Sequence, residues 1–392
     1  NKVYTRSRFA RAYSFQFTNK NTIPRWYNSD LYTYNGKYMA EKTPYVEAID
    51  ALMKARIKYV AGGQSQHSGD EFVNGHDDIL TSVRYGKGID DANTVVDKNA
   101  EGVHEGIGVV ISNNPNLNLA NNEKFILNMG KSHANQDYRA LLLTTKDGLK
   151  VYNTDAGAPV LRTNSDGQLI LGNDLIYGVE NVQVSGYLGA WVPVGAASDQ
   201  DARTQSTDTV TNDGSSFHSN DSLDSQLIYE GFSNFQEKPT DSTPADEYTN
   251  AIIAKPESLE LFKSWGVTSF QLAPQYRSSQ DGTFIDSKID NGYSFTVRYD
   301  LGFDTPNKYG NVQQLRDAIK ALHSINTINN TGIQVMADWV PDQLYNFPDY
   351  EVVAVNKSTV NGDAVNDSEL NDVLYAAKTK GGGKYQAQYG GE

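Results

Sequence analysis

The chain is 392 residues long, sets 34 Lys and Arg against 48 Asp and Glu for a formal net charge of −14, and has no cysteine. That balance argues against a nucleic-acid partner, which calls for a basic face, and the missing thiols exclude a disulfide framework or a thiolate metal site. No apolar run approaches the roughly 20 residues that span a bilayer, so no membrane partner is expected, and the length allows two or three domains with their own cores.

In chain order, residues 9–17 are aromatic and small and read as a helix, and 22–30 read as a short strand breaking into a polar turn. An amphipathic helix follows: Thr43 can cap it, Pro44 suits its first turn, and Tyr45, Ile49, Leu52, Met53, Ile57 and Val60 fall on one face. From about Leu80 to Ala197 the period changes. Runs at 103–112, 125–129, 140–145, 149–152 and 181–195 are β-type, divided by turn signals such as Lys146-Asp147-Gly148, and predict a β-sandwich or barrel. A stretch at 198–222, rich in Ser, Thr, Asp and Asn, reads as a loop or linker.

Beyond it strand and helix alternate: strand 226–232, helix 257–265, strand 267–272, helix 311–325, strand 333–337. Two βα units and a third strand imply a parallel sheet with right-handed crossovers, part of an α/β barrel whose closure needs eight strands. After Phe347 the pattern dissolves, with a short helix expected at 368–377. The expected division is a barrel segment at 1–79, the β-sandwich at 80–197, a polar linker at 198–224, a second barrel segment at 225–346 and the start of an insertion at 347–392. Asn1 lacks a signal peptide's charged start and apolar centre behind it, and Glu392 follows an unfinished glycine-rich run, so both read as positions inside a longer protein.

The stretch GIQVMADWVPDQLYN at 332–346 concentrates the chemistry. A buried apolar strand there ends in Asp338, Asp342, Gln343 and Asn346, the form an α/β barrel needs, because its interior is apolar while its site is built from the loops after each strand. Taken alone, the stretch is explained as well by an Asp capping the next helix. Yet each strand of the second half ends in polar groups: Glu230 and Asn234, then Gln275 and Tyr276, then Asp338, Asp342 and Gln343. The long loop at 277–310 holds Asp286 and Tyr293, and loops of that length in a compact domain usually carry function. Tyr293, after Asn291-Gly292, reads as a sugar platform rather than core. Rival chemistries lack their residues. The six histidines include no pair at ligand spacing, no GxSxG elbow occurs, and the glycine clusters lack the rest of a phosphate-binding pattern. Carboxylates, amides and aromatics remain, 24 tyrosines among them, and glycoside chemistry uses those groups.

With these residues in view, the chain resembles the circularly permuted transglucosylases of glycoside hydrolase family 70, the glucansucrases and their starch-acting relatives. The likeness rests on ADWVPDQLYN at 337–346, EGFSNFQ at 230–236, FKSWGVTSFQLAPQYRSS at 262–279, FIDSKIDNGYSF at 284–295, RYDLGF at 298–303, KYVAGGQ at 58–64, NMGKSHANQDYRALLLTT at 128–145 and VQVSGYLGAWVPVGA at 182–196. It implies part of a (β/α)8 catalytic barrel, a domain similar to the family's domain C at 80–197, and a domain B-like insertion from 347. It also implies a secreted bacterial enzyme that transfers glucosyl units from sucrose to a growing α-glucan or oligosaccharide acceptor. A 4,6- or 4,3-type α-glucanotransferase acting on α-1,4-glucans is the alternative, and a non-catalytic carbohydrate-binding module a second.

The family's nucleophile, general acid/base and transition-state-stabilising aspartate lie on motifs that precede domain C and have no match here. A companion polypeptide segment is therefore expected to carry the catalytic carboxylates, and this chain alone to be inactive. By likeness, Asp338 supports catalysis by bonding the donor glucosyl ring, Tyr293 stacks on that ring, and Gln343 bonds the same sugar. Asn234 and Asp286 face the leaving or accepting group, and Asp342 is a Ca2+ ligand, hard carboxylate oxygen suiting that ion. Arg25-Trp26-Tyr27-Asn28-Ser29-Asp30 departs from the usual Tyr-Tyr-Gly-Asp, and Phe347-Pro348-Asp349-Tyr350 from Leu-Pro-Gly-Lys. The turn at 324–331 is longer than usual and Val297 stands where Asp is common. Asn234 and Asp286 favour sucrose as donor, the departures an α-1,4-glucan.

Overall fold

A computed structural model of the chain describes residues 9–205, 209–210, 216–217, 220–278, 289–297, 299–303, 305–341, 355–370 and 372–379. It opens with the helix Phe9–Thr18, strand β1 (Arg25–Tyr27), a helical turn Asn28–Leu31 and the helix Val46–Tyr59. Ten strands follow: β2 (Gln64–Ser68), β3 (Ile79–Arg84), β4 (Ile107–Ser112), β5 (Phe125–Asn128), β6 (Asp137–Thr145), β7 (Gly148–Val151), β8 (Val160–Arg162), β9 (Gln168–Leu171), β10 (Val179–Glu180) and β11 (Ser185–Pro193). Eight of them form one antiparallel sheet in the order β2-β3-β4-β11-β6-β7, with β8 on β6 and β10 on β11, while β5 pairs with β9. This sheet starts at Gln64, ahead of the period change seen near Leu80, and the 103–112 run opens as a 3-10 turn, Glu101–His104, before β4.

All nine residues of β11 are buried, because both faces of the sheet are covered. Side chains alternate across a strand: Leu188, Ala190 and Val192 join Ile49, Leu52 and Met53 of the helix Val46–Tyr59 in one core, and Tyr187 and Trp191 join Phe125, Leu127, Leu169 and Leu171 in another. Opposite Ala190 and Trp191 the partners are Leu142 and Ala140, so Leu141 is an extra residue on β6. Leu141 and Leu142 consequently face the same core while Ala140 and Leu143 face the other, as a β-bulge dictates.

The polar stretch after this sheet contains the antiparallel pair β12 (Thr209–Val210) and β13 (Ser216–Phe217) and a helical turn, Asn220–Leu223. It ends in an anchor rather than a solvated spacer. Arg84, fully buried, donates through both terminal nitrogens to the Asp224 carboxylate, which is 4% exposed, and also to the carbonyls of Gly62 (2.8 Å) and Thr18 (3.2 Å). Next to it, Arg56 donates to the carbonyl of Phe17 (2.6 Å) and, at 3.3–3.4 Å, to those of Thr22, Leu223 and Gln226. Burial draws the Arg56 guanidinium down to about 10, the Asp224 charge opposing the fall.

The second half supplies β14 (Ile228–Glu230), the helices Thr249–Ile253 and Pro256–Ser264, β15 (Ser269–Gln271), β16 (Arg277–Ser278), β17 (Phe295–Val297), the helix Val312–Ser324, β18 (Gln334–Met336), β19 (Val355–Ser358) and β20 (Ala376–Thr379). β1, β14, β15 and β18 form a parallel sheet in that order, with Tyr27, Glu230, Gln271 and Met336 level across it. The entire antiparallel unit is thus inserted between two neighbouring parallel strands. Asn311 caps the helix Val312–Ser324 by accepting from the Gln314 amide, and the Gln314 side chain returns a bond to the Asn311 N–H, both at 2.9 Å, a capping box with Asn in place of Ser or Thr. The helix expected at 368–377 is not formed among the described residues: a 3-10 turn, Asp367–Glu369, leads toward β20, which pairs with β19. Leu374 there is 83% exposed, so a helix would have had no buried stripe to hold it. The architecture as a whole is mixed α/β with several sheets.

Candidate functional site

The two faces of the parallel sheet differ. Trp26, Tyr229 and Phe270, level in the register, are fully buried in the core that includes Phe262 and Trp265 of the neighbouring helical segment. On the alternate positions Arg25, Glu230 and Gln271 are only part-buried, and Tyr27 and Met336 are exposed. Polar groups collect on this second face and at the carboxyl ends of its strands. Arg25 donates to the Glu230 carboxylate and lies over the Tyr27 ring, 5.4 Å from its centroid. After β14 the chain turns at Gly231, where a Cβ would stand 2.1 Å from the Phe270 ring, so only glycine lets the strand end pass that close.

Asp338, just past β18, is half-buried and accepts a 2.5 Å hydrogen bond from the Tyr293 hydroxyl. Burial, then this bond and the Asp338 charge, push the Tyr293 phenol well above its usual range, and Glu230 adds to the rise. The phenol therefore keeps its proton and donates. Burial also raises Glu230 above the usual carboxylate range, against the pull of Arg25 and with a further push from Asp338. Two carboxylates, Glu230 and Asp338, thus stand at the strand ends, and Arg25 pairs with the first of them.

Tyr293 is held from several sides. Gly292 has φ +85 with the Pro274 carbonyl 2.2 Å from where a Cβ would be, its N–H donates to the Ser278 hydroxyl (3.0 Å), and the Asn291 side chain accepts from the Tyr293 N–H (3.1 Å). The ring, expected to stand clear of the core, is half-buried against two small clusters, Phe232, Ala273 and Tyr309 on one hand and Tyr276, Phe295 and Val340 on the other. An aromatic ring held in this way loses little entropy when a ligand docks.

Asn234 is exposed in the loop after β14. Gln275 and Tyr276 turn to internal tasks: Gln275 accepts from Asn250 (2.9 Å) and donates to the Ala273 carbonyl (2.9 Å), and Tyr276 packs on Phe295 at 4.4 Å. Asp286, Asp342, Gln343 and Asn346 lie outside the described residues. Among the described residues no three His, Cys, Asp or Glu side chains are grouped to hold a metal.

Two residues with no part in the sequence-based site matter here. Arg25 was visible only as a member of a divergent stretch. Lys308, 2% exposed, donates to the carbonyls of Ile289 (2.9 Å) and Asn234 (3.3 Å), joining the segment between β16 and β17 to the loop after β14. Burial draws its ammonium down from 10.5 to about 8, Asp290 resisting and Lys238 assisting. The folded protein sheds this proton before the unfolded chain does, so between about pH 8 and 10.5 the unfolded state binds more protons and stability rises with pH. Lys308→Met should lose that slope, the parent gaining ~2–3 kcal/mol on the variant across the window. Denaturant titrations at matched pH values check this, and parallel pH dependences would contradict it.

A parallel sheet with acidic and aromatic side chains gathered at the carboxyl ends of its strands is the arrangement in which α/β folds build a ligand site. The chain belongs to glycosyl hydrolase family 70, whose profile matches residues 1–392. It is 50% identical to Glucosyltransferase-S of Streptococcus mutans serotype c and 49% identical to Glucosyltransferase-I of Streptococcus downei, in each case over all of this chain. It spans only about a quarter of those curated relatives, 26% and 24% of their lengths. Among solved structures it resembles truncated alternansucrase from Leuconostoc mesenteroides and alternansucrase in complex with isomaltotriose. Each of the two gives a TM-score of 0.82 and 45% identity, over 97% of this chain and 34% of the other.

Proposed function

We propose that this chain is the donor- and acceptor-holding part of a secreted bacterial retaining transglucosylase that moves glucosyl units from sucrose to an α-glucan or oligosaccharide acceptor. The observation that carries this reading is the Tyr293 to Asp338 hydrogen bond at the carboxyl end of the parallel sheet, which joins a ring suited to a pyranose face to a carboxylate suited to its hydroxyls. Family membership and relatives named glucosyltransferases support it. The sheet is read as a sector of a circularly permuted (β/α)8 barrel. In support, β1 and β14 are neighbours across the whole antiparallel unit, which is read as domain C, and Tyr27 and Met336 on the second sheet face are exposed where parallel sheets are ordinarily covered.

In this account a carboxylate on a companion segment attacks the anomeric carbon as the bond to the fructosyl oxygen breaks, and an acceptor hydroxyl then displaces the enzyme from the glucosyl ester. The residues of this chain bind and orient: Tyr293 stacks on the ring, Asp338 and Gln343 bond its hydroxyls, and Asn234 and Asp286 face the group that leaves or accepts. Sucrose is favoured over an α-1,4-glucan by Asn234 and Asp286, and of the divergent stretch Asn28 and Asp30 turn inward, leaving Arg25 and Tyr27 on the second sheet face. Asn28 is buried and donates to the Tyr229 hydroxyl (2.9 Å), and Asp30 is buried and accepts from Tyr13. The test is to incubate the complete protein separately with sucrose and with amylose. Fructose release supports the reading, whereas no fructose together with new linkages built from amylose transfers it to the α-glucanotransferases.

Asp342 is proposed as a calcium ligand, since a hard carboxylate oxygen is the donor that ion prefers. Chelation should lower both the melting temperature and the activity of the complete protein, with calcium restoring both. An Asp342→Asn protein that stays as chelator-sensitive as its parent would remove the assignment.

A further inference from the structure

A cleft of about 260 Å³ opens between the loop after β1 and the loop after β14, beside the strand ends but lined by different residues. Its walls are tied to each other. The Glu237 N–H donates to the Tyr34 carbonyl (2.8 Å), the Glu237 carboxylate accepts from the Gly36 N–H (2.5 Å), and Lys37 pairs with Glu247 at 3.1 Å. At its base the Tyr38 hydroxyl donates to the carbonyl of Gly231, the residue after Glu230 (2.5 Å). The cleft is therefore a standing feature of the fold.

Its charges cancel. Lys37 and Lys238 stand against Glu237 and Glu247, and both lysines are engaged in ion pairs, Lys238 with Asp290 at 2.8 Å. Such a lining does not select an anion or a cation. The rest of the lining is four threonines, the amides of Asn28 and Gln236, Gly36, Pro239 and two tyrosines, Tyr34 and the buried Tyr38; beside Tyr34 the Phe235 ring sits 6.4 Å away, tilted by 57° and 64% exposed. An exposed ring, Phe235, against a half-buried one, Tyr34, beside hydroxyls, amides and charges of both signs matches a neutral pyranose, which has an apolar C–H face and a hydroxyl edge. Phe235 directly follows Asn234, and adjacent Cα atoms are about 3.8 Å apart, within the width of one sugar ring.

We propose that this cleft is a subsite for a neutral α-glucan chain, taking a glucosyl unit beyond the one that Asn234 faces. The proposal rests on the sugar-binding reading of the strand ends. Isothermal titration of the complete protein with isomaltose, isomaltotriose and isomaltohexaose tests it. Affinity should rise about tenfold with chain length, a gain of ~1.4 kcal/mol. Phe235→Ala, a change at an exposed side chain, should abolish the rise, and so should Thr243→Trp, which fills the cleft from its wall. Equal affinity for all lengths, or a rise that both variants keep, overturns the subsite and leaves the strand-end reading standing. If the strand-end reading is what fails, no oligosaccharide of any length binds, and the subsite falls with it.

Discussion

Asp338→Asn is expected to lower kcat/KM of the complete protein on sucrose by about 100–1,000-fold. The amide keeps the shape of the carboxylate and still accepts a bond from Tyr293, but it loses the charge. A carboxylate accepts charge-assisted hydrogen bonds, roughly twice as strong as neutral ones, and it opposes the positive charge that grows on the sugar ring as the glycosidic bond breaks. Asp338 stands beside Glu230, which Arg25 balances. Removal of its charge should act on the transition state more than on the folded protein, because Asp338 is only half-buried. Thermal melts should therefore stay close to those of the parent. A loss of less than threefold in kcat/KM would show that Asp338 is no more than a turn residue, as its sequence context alone permits.

The largest effect on stability is expected at Asp224. Its carboxylate is the anionic partner of Arg84, which is fully buried. Asp224→Ala leaves a guanidinium without its counter-charge among backbone carbonyls, a loss of about 3–5 kcal/mol for a buried pair broken from one side. Arg84→Met should cost a similar amount, since it orphans Asp224 and the carbonyls of Thr18 and Gly62. The double variant Arg84→Met with Asp224→Leu should lose less than the sum of the singles, because no charge remains uncompensated. The pair joins the antiparallel sheet to the segment that leads into β14, so limited proteolysis near residue 220 should quicken in both singles. A cost below 1 kcal/mol for Asp224→Ala would mean that the pair is hydrated and only packs the junction.

The elements that local patterning specifies were readable in the sequence. The stripe of Ile49, Leu52 and Met53 gave the helix Val46–Tyr59, and the alternation around Tyr187 to Trp191 gave β11. What could not be read were partners distant along the chain. Nothing near Gln64 announces that it opens the eight-stranded sheet, since β2 is short, polar and part-exposed, and its place is set by pairing with β3. The polar composition of the 198–224 segment hid its buried end, because Asp224 is buried only by virtue of Arg84, 140 positions earlier. The same limit applied at the site. Asp338 and Tyr293 were visible as polar and aromatic residues at a strand end and in a long loop, yet their hydrogen bond, the ion pair of Arg25 with Glu230 and the span of Lys308 between two loops are products of the topology.

The central claim is that Tyr293 and Asp338 act as one unit on a bound glucosyl ring, and a double-mutant cycle on the complete protein tests it most directly. Sucrose kcat/KM is measured for the parent, Tyr293→Phe, Asp338→Asn and the double variant. The account predicts that the double variant loses little more than Asp338→Asn alone, a coupling of about 1 kcal/mol or more, because the phenol acts through the carboxylate that orients it. Losses that simply add, or a Tyr293→Phe protein with full activity, would contradict it.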